Sequence, residues 1–282
     1  MTTQAFIPTA SIQRCRPFLK WAGGKYRLTE RIAESLPEGK RLIEPFVGSG
    51  AVFLNTHYEN YTLGDINPDL INLYLCLKRE PKGFVKFAKD WFTPKENTEA
   101  AYYHWRKVFN STECVRTKSA LFLYINRHGY NGLCRYNSKG EMNVPFGRYK
   151  RPYYPSDEMY QFAERAKHAR FVCAPFDKLM NRARRGDVVY CDPPYVPLSD
   201  SANFTSYAKE GFGLDDQMAL AVKAHRLAER GVSVLISNHE NALTRELYEH
   251  AEISRFQVRR SISCKGALRT KAWEILALYK GE

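Results

Sequence analysis

Residues Val188-Val189-Tyr190-Cys191-Asp192-Pro193-Pro194-Tyr195 decide how the chain is read, because a short apolar run there passes directly into an acid, two prolines and an aromatic ring. Four apolar or aromatic residues after Gly186-Asp187 predict a central strand covered on both faces. Pro193 has no N–H to give a ladder, so pairing must stop there. Asp192 is therefore expected at a strand's carboxyl end, the edge where open α/β sheets bind ligands. The locked φ angles of the prolines hold the Pro193 carbonyl in one direction, and an aimed carbonyl beside a carboxylate makes two adjacent acceptors. Two acceptors suit an amino group with two N–H bonds, and Tyr195 adds a flat face for a planar ring. The plainer reading of the same tetrapeptide is a Pro-Pro turn closing a strand.

Upstream, Phe18-Leu19-Lys20-Trp21-Ala22-Gly23-Gly24-Lys25 combines rings and cations with paired glycines that permit close backbone approach. Trp21 offers a stacking face and Lys25 a cation for a carboxylate, although a plain loop also fits. Leu28, Ile32 and Leu36 then recur every fourth residue, which predicts an amphipathic helix ending at Pro37 and Gly39. Residues 41–46 read as a strand, followed by the turn Val47-Gly48-Ser49-Gly50 and a helix-compatible run from Ala51 to Leu54. Strand, glycine turn and helix form a nucleotide-handling arrangement, since the helix start presents free N–H groups. A third glycine is missing, which disfavours a nicotinamide enzyme. Asp65 ends a second strand, close to the distance past the glycines at which such folds hold ribose hydroxyls.

From Pro68 to about Pro155 the pattern becomes helical and then basic, as expected of an insert. Tyr102, Trp105 and Phe109 recur at helical spacing and read as core. Residues 127–151 then hold six lysines and arginines against the single acid Glu141, punctuated by four glycines and interleaved with Tyr130, Tyr136, Phe146 and Tyr149. Arginine grips guanine or phosphate, asparagine reads an adenine edge, and rings stack on bases, so this composition points to nucleic acid. A solvated basic loop is the alternative.

Beyond the insert, Ser156 is expected to cap a helix through Ala166, Phe171-Val172-Cys173 reads as a strand, and Phe176-Asp177 as its end. The polar stretch 197–207 suits a loop over a site. A helix over 215–230, a buried strand over 232–237 and two final strands follow, the last pair separated by a loop carrying Lys265, Arg269 and Lys271.

The formal net charge of +13 makes a polyanion the first partner to consider. Seven cysteines lie scattered, with no close pair of zinc or redox spacing, so a reduced cytoplasmic setting and no metal are expected. No apolar run resembles a signal peptide or reaches membrane-spanning length.

The order Lys-Trp-Ala-Gly-Gly-Lys, Glu-Pro-Phe-Val-Gly-Ser-Gly, long insert and Asp-Pro-Pro-Tyr resembles the adenine-N6 DNA methyltransferases of the alpha arrangement. Residues 127–137 and 143–149 are similar to the target-recognition region of members that methylate GATC. The resemblance spans about Arg16 to Lys280; His128 departs from an expected aromatic, and Ala267-Leu268 from a more glycine-rich loop. It implies an α/β, Rossmann-like, S-adenosylmethionine-dependent sheet with a reversed hairpin among its last strands. It also implies division into a catalytic domain (15–67 and 156–282) and a mainly helical recognition domain with a basic hairpin (68–155). The implied partner is double-stranded DNA, with no obligate protein partner and no membrane. By the same resemblance Trp21, Lys25, Phe46, Gly48, Asp65, Phe176 and Asp192 hold the cofactor, and Asp192, Pro193 and Tyr195 the target adenine. Lys20, Tyr130, Leu133, Arg135, Asn143, Pro145 and Tyr149 would read or hold the DNA sequence. Arg106, Arg127, Asn131, Asn137 and Arg148 would make backbone or neighbouring contacts. Related tetrapeptides serve cytosine N4, RNA and glutamine methylation, and a non-catalytic DNA-binding protein could keep the fold.

Overall fold

The computed structural model describes residues 14–195, 212–259 and 271–282. The polar stretch 197–207, Lys265, Arg269, Ala267, Leu268 and the side chain of Lys271 lie outside them. Strands β1 (Arg41–Glu44), β2 (Asn60–Asp65), β3 (Ala169–Cys173), β4 (Asp187–Cys191) and β5 (Ser233–His239) pair in parallel. Strand β7 (Lys271–Tyr279) runs antiparallel between β5 and β6 (Glu252–Arg259), giving the sheet order β3-β2-β1-β4-β5-β7-β6. The chain winds outward from β1 in one direction and from β4 in the other. The carboxyl ends of β1 and β4 therefore flank the switch point at which such sheets open a crevice.

Strand periodicity divides the core. Leu42, Val188, Tyr190 and Leu235 belong to one apolar cluster, and Ile43, Val189, Cys191, Val234 and Ile236 to the other. Every residue of β4 is buried, as a strand covered on both faces requires.

Helix α1 (Thr29–Ser35) buries Ile32 completely, and α2 (Ala51–Leu54) is a single turn after the glycines. Helix α3 (Pro68–Arg79) starts at a proline, and Asn67 caps it by accepting from the main-chain N–H groups of Asp69 and Leu70 at 2.9 and 3.2 Å. Helices α4 (Pro81–Ala88), α5 (Glu99–Ser111) and α6 (Val115–His128) build the insert. Tyr102 and Phe109 are core, as read, whereas Trp105 packs against it only partly buried; α6 is buried at every position from 119 to 128, so it is the insert's central helix. Helix α7 (Ser156–Ala166) returns to the sheet. Phe18 packs edge-on against Phe162 of α7 and Tyr74 of α3 at 5.1 and 5.9 Å, so one apolar cluster runs from the sheet into the insert.

Two local expectations need correction. Ser156 is the first helical residue and makes no cap; its hydroxyl turns to Asp157 instead. The strand ends at Cys173, and after Pro175 the chain winds into α8 (Phe176–Met180), which buries Leu179 and Met180 under the sheet. On that face α9 (Leu214–Ala228) buries Leu220, Ala224 and Leu227, and α10 (Ala242–Leu247) follows β5.

Candidate active site

Strand β4 stops at Cys191, and Asp192 leaves the sheet edge held from two sides. Lys25 Nζ lies 3.0 Å from Oδ1, and the Ser237 hydroxyl donates to the same oxygen at 2.9 Å. Ser237 belongs to the parallel neighbour β5, where pairing of Cys191 with Ile236 brings the next two residues side by side. Ser237 also bonds the buried Tyr190 hydroxyl at 3.1 Å. Lys25 donates to the Gly23 carbonyl at 3.0 Å and stands 4.4 Å from the centre of the Tyr195 ring.

The Asp-Pro-Pro-Tyr main chain is fixed by more than proline. The Pro194 carbonyl accepts from Gln217 Nε2 at 2.8 Å, and Gln217 is held by Asn238, which donates to the Tyr248 hydroxyl at 3.0 Å. Tyr195 meets His239 edge to face at 4.3 Å between ring centres, and its hydroxyl reaches Glu274 at 3.5 Å. Glu44, at the end of β1, is 2% exposed and its Oε1 has no hydrogen-bond partner among the described residues. Burial, and next the charge of Asp192, push its carboxyl well above the usual carboxylate range.

The other half of the same cleft is built on the glycine turn. Gly48 and Gly50 have φ of +46° and +73°, and a Cβ on Gly48 would stand 2.8 Å from Trp21 Nε1, so only glycine fits beneath that indole. Gly48 N–H donates to Asp65 Oδ2 at 3.3 Å and Asn67 N–H to Oδ1 at 3.0 Å. Burial raises the Asp65 pKa, and these main-chain donors oppose that rise. Phe46 and Phe176 stack at 5.6 Å with Phe212 5.4 Å from each, forming an apolar wall. Trp21, Lys25, Phe46, Gly48, Asp65, Phe176, Asp192, Pro193 and Tyr195 all line this one cleft. Among the described residues no cluster of His, Cys, Asp or Glu is arranged to hold a metal.

Residues 127–151 fold back on themselves through isolated antiparallel bridges, Gly129 with Phe146 and Tyr136 with Met142, not through continuous strands. Asn137 spends its amide inside the turn, accepting from the N–H groups of Lys139 and Glu141 and donating to the Glu141 carboxylate. Arg135 donates to Asn143 Oδ1 at 2.7 Å and to its carbonyl at 3.1 Å, and the arginine is exposed. Tyr130 is 47% exposed, and Pro145, whose carbonyl accepts from Tyr130 N–H, is exposed beside it. Asn131 and Arg148 adopt positive φ of 53° and 52°; both are exposed, and Arg148 pairs with Glu99 at 3.4 Å. The Tyr149 hydroxyl accepts from Asn131 N–H, and the Lys20 ammonium lies 3.8 Å from the Tyr149 ring centre.

Two of the expected contact residues, Arg127 and Arg106, are spent on bonds within the protein, and a third, Leu133, is partly covered. Arg127 is 8% exposed and its guanidinium donates to the Phe18 carbonyl, so it is turned inward. Arg106 donates to the Val144 carbonyl at 2.8 Å, bracing the hairpin against α5. Leu133 is half-buried against the core. Sequence reasoning also missed Asp69, which accepts from the Tyr136 hydroxyl at 2.7 Å and pairs with Lys118 at 3.2 Å. Asn67, two residues past Asp65, donates to Cys134 Sγ at 3.4 Å. These bonds join the hairpin to the β2 end of the cleft. Ser237 had a signal in the run Ser-Asn-His closing a buried strand, whereas Glu44 had none beyond its strand end.

A family model for D12 class N6 adenine-specific DNA methyltransferase matches residues 21–262. The chain is 54% identical over 269 residues to a DNA adenine methylase of Vibrio cholerae serotype O1, covering 95% of this chain and 97% of that protein. It is 52% identical to the DNA adenine methylase of Escherichia coli strain K12 with the same coverage, and 52% identical to that of Serratia marcescens over 95% and 100%. With an Asp-Pro-Pro-Tyr strand end at the switch point of an α/β sheet, and this similarity over nearly its whole length, the chain belongs to the D12 class of N6 adenine-specific DNA methyltransferases.

Proposed function

We propose that the enzyme moves a methyl group from S-adenosylmethionine to N6 of an adenine turned out of double-stranded DNA, within the sequence GATC. The observation that carries this reading is Asp192, oriented by Lys25 and Ser237, opening on the same cleft as the Gly48 turn and Asp65. The residues present suit that cofactor. Asp65 offers acceptors for ribose hydroxyls, Trp21, Phe46 and Phe176 offer apolar faces, and Lys25 a cation for a carboxylate. When bound, S-adenosylmethionine supplies a methyl carbon made electrophilic by its sulfonium sulfur.

The adenine amino nitrogen shares its lone pair with the ring and is a weak nucleophile. Asp192 and the Pro193 carbonyl would accept its two hydrogens, freeing the lone pair to point along the line of attack. The Asp192 charge then offsets positive charge growing on nitrogen, and the bonds to Lys25 and Ser237 keep it in place without reorganisation. Flipping the base costs a few kcal/mol, offset by stacking on Tyr195 and by Tyr130 filling the gap. In this reading Arg135 and Asn143 exchange their mutual bonds for base edges. Lys20, Leu133, Pro145 and Tyr149 shape the reading surface, with Asn131, Asn137 and Arg148 alongside it. Residues 68–155 act as recognition domain and 15–67 with 156–282 as catalytic domain, working in the cytoplasm where the DNA lies.

Labelled S-adenosylmethionine offered with duplexes that contain or lack GATC, and with double-stranded RNA, tests the proposal. Label should enter N6-methyladenine of the GATC duplex alone. Equal transfer to the control duplex would remove the sequence assignment, and label on cytosine would remove the adenine geometry.

A further inference from the structure

The positive charge is not confined to the hairpin. At the amino ends of β1 to β4, the sheet edge opposite the active cleft, a second groove is lined by Arg41, Lys78, Lys167, Arg170, Arg184 and Arg185. Asp187 is the one acid among the residues lining it, and its charge is already used. It accepts from Arg41 Nε at 3.1 Å and caps the main-chain N–H of Arg184 at 2.7 Å. Lys78 is tied to the Ala169 carbonyl at 2.7 Å, and Lys167 pairs with Glu164 at 2.6 Å. Arg170, Arg184 and Arg185 are exposed, and no ion pair among the described residues engages their guanidinium groups. Three guanidinium groups without an ion partner among the described residues, one at the start of β3 and two in the turn before β4, thus line one shallow groove, an arrangement suited to a row of phosphates.

We propose that this groove is a second, sequence-independent binding site for the phosphate backbone of duplex DNA. DNA is the polyanion this enzyme acts on, and any natural substrate extends beyond the target site. Strands β1 to β4, of four to six residues, separate the two sheet edges by roughly 13–20 Å, so a straight duplex seated in the active cleft does not also lie in the groove. The groove takes a different segment, from the same molecule by bending or from a neighbouring one. That contact raises the local concentration of target sites without taking part in methyl transfer. The inference rests on the DNA substrate alone and is independent of the GATC assignment.

The test uses the full chain carrying R170Q, R184Q and R185Q together, with thermal melting to confirm folding and R170Q alone if the triple variant melts early. Affinity is measured against salt for a duplex of about 15 base pairs and for one of about 200, since each lost phosphate contact lowers the slope of log K against log salt by about 0.9. On the short target duplex kcat/KM should be unchanged. On the long duplex the slope should fall by about 2 to 3, low-salt affinity by about tenfold or more, and methyl groups added per encounter should decrease. Equal losses on both lengths would place these arginines on the target segment, and unchanged behaviour on both would leave the groove a solvated surface.

Discussion

Asp192 and Arg135 are both charged and both bonded to neighbours, yet the cleft and the hairpin use those bonds differently. Asp192, with 21% of its side chain exposed, is gripped by Lys25 and by a serine from the adjacent strand, and the loop behind it is locked by Gln217 and Asn238. Arg135 is exposed and bonded to Asn143 across a hairpin that pairs through isolated bridges, not continuous strands. Groups in the cleft are oriented before any substrate arrives, whereas those on the hairpin satisfy one another and can exchange partners. Substitutions in the cleft should therefore change rate, and substitutions on the hairpin should change selectivity.

The largest effect is expected at Asp192. Asp192→Ala should lower single-turnover methyl transfer by about 10³-fold while leaving DNA affinity nearly unchanged. Parallel losses of rate and affinity would erase the contrast between the two regions.

Next is the hairpin's root. His128 is buried, 4.1 Å from the Tyr124 ring centre, with Nδ1 3.0 Å from the Tyr124 carbonyl oxygen, and burial lowers its pKa from 6.5 to about 4. The folded state thus favours the neutral ring. Its contribution is complete above pH 6.5 and is lost as pH falls from 6.5 through about 4, up to about 3 kcal/mol in all. His128→Phe should flatten stability over that range in urea melts at several pH values; an unaltered acid limb would show that the ring titrates freely.

A smaller effect belongs to Arg135→Ala, expected to relax base preference at one position with a penalty of about 1–3 kcal/mol against the cognate site. Unchanged preference across single-base variants of the site would return Arg135 to a purely structural role. Smallest is Tyr136→Phe, which removes the 2.7 Å bond to Asp69 and should cost about 1–2 kcal/mol of thermal stability, with methyl transfer at saturating DNA kept. A fall in saturated rate would mean that the hairpin bond also sets the cleft.

Most of the framework was legible because it depends on local rules. Residues 188–191 announced a two-sided strand, Pro193 its end, and the glycines a turn that the φ angles of Gly48 and Gly50 confirm. Side-chain partners across the sheet were not legible. Ser237 reaches Asp192 only through the β4–β5 register, and Asp69 meets Tyr136 across 67 residues of sequence. Charge in sequence also did not disclose direction. Arg127 reads like its neighbours in a basic run but lies on the buried face of α6, where the Phe18 carbonyl takes its guanidinium. Phe176 looked like a strand end because its helix is only five residues long and begins at a proline-set turn. His128 departs from an expected aromatic yet occupies an aromatic slot between Tyr124 and Phe92.

The most direct test is a structure of the enzyme with a GATC duplex and S-adenosylhomocysteine, read for the distances from the target adenine N6 to its acceptors. The account predicts N6 about 3 Å from both an Asp192 oxygen and the Pro193 carbonyl, with the base against Tyr195. A flipped adenine whose N6 faces away from Asp192, while that carboxylate keeps only Lys25 and Ser237, would contradict it.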